Sequence, residues 1–170
     1  MANIPKNKLI GLLAAAGLSV GAIFAGSLIV PPSEGLVTHG YLDPVGVATS
    51  CYGHTGPDVK VGIKYTNEEC VQQLAEDIQE ADKAVHSVIH VPLTWYQEAA
   101  LISFTYNVGA DNLKKSTLVK LFNMGKYTEG CKQMLRWVYA GGKKLPGLVD
   151  RRQRETKVCL GDVTSVKGND

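Results

Sequence analysis

From Leu9 to Val30 the chain carries no charged side chain, and only Pro31, Pro32 and Ser33 separate that run from Glu34. An uncharged run of this length must leave water. It can enter a bilayer, which about 20 apolar residues cross as a helix, or a protein interior. Lys6 and Lys8 lie just before it. That bias keeps the N-terminus cytoplasmic and sends the rest of the chain across the membrane. A cleaved signal peptide fits poorly, because the run continues through Leu28-Ile29-Val30 past the small-residue site at Ala25-Gly26-Ser27. A permanent anchor could use Gly17-x-x-x-Gly21 as a helix-packing face. Half of the run is Gly, Ala or Ser. Such residues bury little area, so at ~25 cal/mol per Å² residence in lipid is only modestly favourable.

The 170 residues suit one domain with an appendage, and we divide them into an apolar segment 1–30, a domain 31–162 and a polar tail 163–170 that should fray. A net charge of +2 excludes a strongly electrostatic nucleic-acid binder. Thr66-Asn-Glu-Glu69 is a capping-box signature, and Val71, Leu74, Ala75 and Ile78 recur at helical spacing, which predicts a helix over 67–82. Pro92 is placed in the first turn of a second helix that runs to Gly109. That helix is apolar nearly all round and should be the buried axis of a helical lobe. Shorter helices are expected over 116–123, 128–139 and 148–160.

Glu34 to Gly56 is dense in glycine and β-branched residues and reads as a short hairpin or small sheet. A carboxylic acid before such a hairpin and a carboxylate within it can face each other across a cleft. A glycosidase needs that pair, one group protonating the leaving oxygen and the other serving a water or the sugar. A surface hairpin with solvated acids would have the same composition. The spacing Glu34-x8-Asp43-x5-Thr49, followed by Gly53-His54, resembles the catalytic signature of phage-type lysozymes, glycoside hydrolase family 24. Ser103-Phe-Thr-Tyr-Asn-Val-Gly109 resembles the central helix of that family, and Arg136 to Glu155 its C-terminal signature. The resemblance runs from Ser33 to Leu160.

The resemblance implies an α+β fold, with a small β-hairpin lobe beside a larger helical lobe, an active-site cleft between them and an N-terminal apolar helix in front. It implies a muramidase that hydrolyses peptidoglycan between N-acetylmuramic acid and N-acetylglucosamine with inversion, needing no cofactor. Glu34 would be the general acid, a role that partial desolvation favours. Asp43 would steady positive charge on the sugar ring and orient water, and Thr49 would hold that water. Tyr41, Tyr106, Asn107, Thr117 and Gln133 match positions near the cleft. His54 and Asp77 match a structural ion pair, which we favour over a second base or a metal ligand. Arg151, Arg152 and Glu155 read as an ion-pair network, with an acidic-substrate contact as the alternative. Trp137 and Tyr139 read as packing residues.

Four cysteines permit two disulfides in three connectivities, or four buried thiols. The family geometry implies Cys51–Cys70 and Cys131–Cys159. The apolar run resembles the signal-arrest-release segment of some endolysins. By that resemblance, residues 9–30 first hold the protein on the host inner membrane with its domain in the periplasm, and later slip out to free a monomer. Two rivals differ in chemistry. A lytic transglycosylase would need neither the second carboxylate nor Thr49, and a non-catalytic wall-binding lysis protein would need none of the three.

Overall fold

The apolar run is broken where its small residues and prolines break it. A computed structural model describes residues 4–166, so both ends of the chain, including half of the tail expected to fray, lie outside the described residues; the described half does not fray but forms a 3₁₀ turn (Val163–Val166) that buries Val166. Helix α1 (Lys6–Ala15) stops before Gly17, whose φ of +75° ends the turn. Ser19 then caps α2 (Val20–Phe24) by accepting from the Ala22 amide. A single π turn (Ala25–Ile29) leads into α3 (Val30–Glu34), which contains Pro31 and Pro32. Proline rings crowd the carbonyls four residues back, and a widened turn relieves that. The single apolar helix expected in front of the domain is therefore replaced by short pieces. No helix among the described residues is long and apolar enough to cross a membrane.

These pieces pack into the protein. Leu9, Leu13, Ala22, Ala25, Ile29 and Val30 belong to the same buried cluster as Leu74, Ile78, Leu101 and Phe104. The segment lies against α4 (Asn67–Val88) and α5 (Trp95–Val108). Phe24 meets Trp95 edge-on at 5.2 Å. At Gly21 the Glu98 side chain and the Trp95 carbonyl come so close that they leave no room for a Cβ.

Strands β1 (Val37–Leu42), β2 (Ala48–Cys51) and β3 (His54–Thr55) form an antiparallel sheet in that order. Tyr41 faces Thr49, and Thr49 faces Thr55. Helix α4 carries the capping box at Thr66 and Glu69, and runs one turn and a half beyond its expected end because Ala81 and Val85 continue its buried stripe. Helix α5 starts at a second capping box, Thr94 with Gln97, and not at Pro92. Three short helices follow, α6 (Ala110–Lys115), α7 (Thr117–Asn123) and α8 (Tyr127–Gln133). The helix expected over 128–139 gives way to a 3₁₀ turn at Met134–Arg136 and a two-stranded ribbon, β4 (Tyr139–Ala140) and β5 (Lys143–Lys144). Helix α9 (Pro146–Cys159) packs along α5 and closes the helical lobe. Disulfides join Cys51 to Cys70 and Cys131 to Cys159.

Candidate active site

Glu34 is the last residue of α3, set at the mouth of the sheet by Gly35, whose positive φ turns the chain into β1. Its side chain is 23% exposed, and Oε1 accepts from Arg151 Nη1 on α9. Arg151 is itself buried. Its Nε donates to Glu155 Oε1 at 3.0 Å and its Nη2 to the Ser103 carbonyl at 3.1 Å. Ser103 Oγ donates to the same Glu155 oxygen at 2.7 Å. Arg152, stacked 5.0 Å over Phe104, lies 2.8 Å from Glu155 Oε2 and also donates to Asn107 Oδ1 at 3.1 Å. Two cations and two carboxylates thus share one buried network, and a charge lost from it would leave its partner uncompensated. Burial disfavours the Arg151 charge, but Glu155 and then Glu34 outweigh it and hold the guanidinium above its ordinary value. Arg154 extends the same helix face to Ser33 Oγ at 3.1 Å.

The other candidate groups sit on the hairpin. Asp43 closes its turn, with Oδ1 accepting from the amides of Val45 at 2.9 Å and Val47 at 2.8 Å. These bonds fix the carboxylate relative to the backbone. Thr49 is buried, and its hydroxyl donates to the Val47 carbonyl at 3.0 Å, leaving its oxygen lone pairs as acceptors. Against Glu34 lies Gly53. A Cβ there would stand 3.0 Å from Glu34 Oε2, and the φ of +82° suits glycine. In the sequence Gly53 stands only as part of the Gly53-His54 signature, and nothing local marks this contact with a residue 19 positions earlier.

His54 follows, with a carboxylate on each ring nitrogen: Asp77 at 2.9 Å from Nδ1 and Asp58 at 3.1 Å from Nε2. Burial opposes its charge, but hydrogen bonds and charge from Asp77, then Asp58, raise its pKa above 6.5. Burial raises Asp77, opposed by His54, while the His54 hydrogen bond lowers Asp58.

The cleft residues divide. Thr117 and Gln133 meet in a groove of about 430 Å³ with Arg136, Trp137 and Tyr139. Tyr106 borders a second groove of about 320 Å³ with Gly53, Thr55 and Asp77, and donates its hydroxyl to the Tyr52 carbonyl at 2.7 Å. Burial pushes the Tyr106 phenol far above its ordinary value. Asn107 is occupied by Arg152, and Tyr41 neighbours His39 on β1. Trp137 packs edge-on against Phe104 at 5.5 Å, whereas Tyr139 is exposed on the ribbon. Away from the cleft, Asp82, His86 and Glu98 bring possible ligand atoms within 4.8 Å of one another. His86 lies 3.3 Å from Asp82 and 3.1 Å from Glu98, so the two carboxylates already flank its ring.

The phage lysozyme family profile matches residues 32–155. A SAR-endolysin of bacteriophage PS119 is 43% identical over 151 residues, 85% of this chain and 90% of the relative. The SAR-endolysin of Escherichia phage Mu is 40% identical over 163 residues, 93% of this chain and 94% of the relative. Among solved structures, the endolysin from Escherichia coli O157:H7 phage FAHEc1 is 33% identical, with a TM-score of 0.74 over 86% of this chain and 94% of that one. The active form of the P1 phage endolysin Lyz aligns over 99% of both chains with a TM-score of 0.82; at 20% identity this is a likeness of fold.

Proposed function

Because the chain belongs to the phage lysozyme family and is a muramidase of the endolysin kind, we propose that Glu34, Asp43 and Thr49 are its catalytic set. The substrate is the peptidoglycan glycan strand, cut between N-acetylmuramic acid and N-acetylglucosamine. The observation that carries this reading is the seating of Glu34 between buried Arg151 and Gly53, beside a hairpin that fixes Asp43. Oε1 is taken by Arg151, so Oε2 carries the proton given to the leaving sugar oxygen. A water held by the Thr49 lone pairs attacks the anomeric carbon from the opposite face and loses its proton to Asp43, which also steadies the oxocarbenium charge. One displacement inverts the anomeric centre, and no cofactor takes part.

The apolar segment belongs to the same proposal. Residues 9–30 first lodge in the host inner membrane, N-terminus cytoplasmic, and are later released so that they pack in the periplasm as described above and the enzyme acts as a monomer. The support is the uncharged run itself and the SAR-endolysin relatives. Glu34 ends the last helix of this segment, so the place of the segment is the place of the acid.

Mass spectrometry of purified peptidoglycan digested with the full chain tests the chemistry. Reducing muropeptides that end in muramic acid, lost with Glu34→Gln, are the expected result, and proton NMR of the first product should show the α anomer. Anhydro ends would make the enzyme a transglycosylase. Binding without cleavage by the unmutated chain would make it a wall-binding protein.

A further inference from the structure

The wall against which Glu34 rests is the turn Cys51-Tyr52-Gly53. Cys51 has a φ of +54°, the one positive value at a non-glycine among the described residues, and it is buried. An L-residue is strained there and stays only where its surroundings hold it. The next carbonyl, of Tyr52, receives the Tyr106 hydroxyl, and the residue after it is Gly53, against Glu34 Oε2.

One face of α4 holds this turn. Cys70, Gln73 and Asp77 stand at helical spacing and reach Cys51, Ser50 and His54 in turn. The Gln73 rung is a hydrogen bond from Ser50 of 3.0 Å, and the Asp77 rung an ion pair of 2.9 Å. The first grips the residue before Cys51 and the second a residue three positions after it. Only the covalent rung grips the strained residue itself.

We propose that Cys51 and Cys70 are a positioning pair for catalysis: their bond keeps Cys51 left-handed, and so keeps Gly53 where it seats Glu34. The inference rests on the reading of Glu34 as the acid. It assigns the bridge a task beyond stability, one that its counterpart lacks. Cys131–Cys159 joins α8 to the end of α9, about two turns beyond Arg151. The two bridges span 19 and 28 residues, so in the loop-closure picture they stabilise the chain to a similar degree.

That similarity supplies the control. Steady-state cleavage of purified, dye-labelled peptidoglycan is measured with three full-length variants at a temperature below their melting midpoints, each checked by circular dichroism. Cys51→Ala with Cys70→Ala should lose about tenfold or more in kcat with KM little changed, since displacing a reacting group by about 1 Å can cost up to 100-fold. Cys131→Ala with Cys159→Ala should melt earlier yet keep kcat within about twofold. Cys51→Gly with Cys70→Ala should recover most of the lost kcat, because glycine adopts the left-handed turn unaided. Should the alanine pair fail to fold, the glycine variant decides alone: folded and near full kcat supports the proposal, folded and slow overturns it. The proposal is also overturned if the Cys51/Cys70 alanine pair keeps its kcat, or if both alanine pairs lose it alike. Absence of cleavage by the unmutated chain would instead strike at the reading of the enzyme itself.

Discussion

His54 shows how much one side chain can report. With a carboxylate on each ring nitrogen, only the doubly protonated ring donates to both. Its folded pKa lies above 6.5, so the stability it contributes is complete below the unfolded value and is lost as pH rises through the folded one. Melting temperatures of the unmutated chain should therefore fall across the range above about pH 6.5 relative to those of His54→Asn, whose pH profile should be flatter there. Parallel profiles would refute the pairing. Gly130 makes a different residue-scale prediction. A Cβ there would stand 2.5 and 2.7 Å from the Phe122 ring. Gly130→Ala should cost about 1–3 kcal/mol by overpacking, read from urea unfolding. Asp77 was legible in advance because it lies on a periodic helix of a familiar pattern. Asp58 was not: it comes from a loop, and nothing in loop sequence fixes where a side chain points.

At the scale of elements, caps and turns mattered more than apolar runs. The pattern of threonine followed three residues on by an acidic or amide side chain placed the start of α4 at Thr66–Glu69. The same pattern at Thr94–Gln97, and not Pro92, sets the start of α5, because the cap satisfies the first amides whereas proline merely tolerates the first turn. Thr66→Ala should cost about 1 kcal/mol in urea unfolding, with Thr94→Ala similar, since each removes a satisfied helix N-terminus. The ribbon β4–β5 carries its own signal, Gly141-Gly142 between two short exposed strands, the glycine pair of a tight hairpin. A helical reading of 128–139 overruns it because Trp137 looks like a helix-face residue, whereas its ring packs on Phe104 of α5 from a stretch outside any helix.

For the whole molecule, the fold class and the two lobes were legible because three ordered motifs span most of the chain. The N-terminal segment was not, because an uncharged sequence suits lipid and protein interior equally. In this fold it supplies core. A chain beginning at Ser33 would lose Leu9, Leu13, Ala22, Ala25 and Ile29 from the buried cluster. It should be insoluble or lack a cooperative melt. The two environments can be separated experimentally at Ala14 and Ala15, which are exposed in the fold. Leucine at each should leave the packed form intact while strengthening residence in lipid by about 2 kcal/mol per site. Fractionation of expressing cells should find the double variant Ala14→Leu/Ala15→Leu retained in the membrane and lysis delayed. Unchanged partition and timing would count against a releasable segment.

The Arg151–Glu34 contact joins residues 117 positions apart, one near the start of the domain and the other near its end. A ribosome makes Glu34 early and Arg151 late. No nascent chain that stops short of α9 has Glu34 seated, whatever else of the fold has formed. On the proposed reading of Glu34 as the acid, only a finished chain can cut the wall, and the order of synthesis itself guards against premature activity.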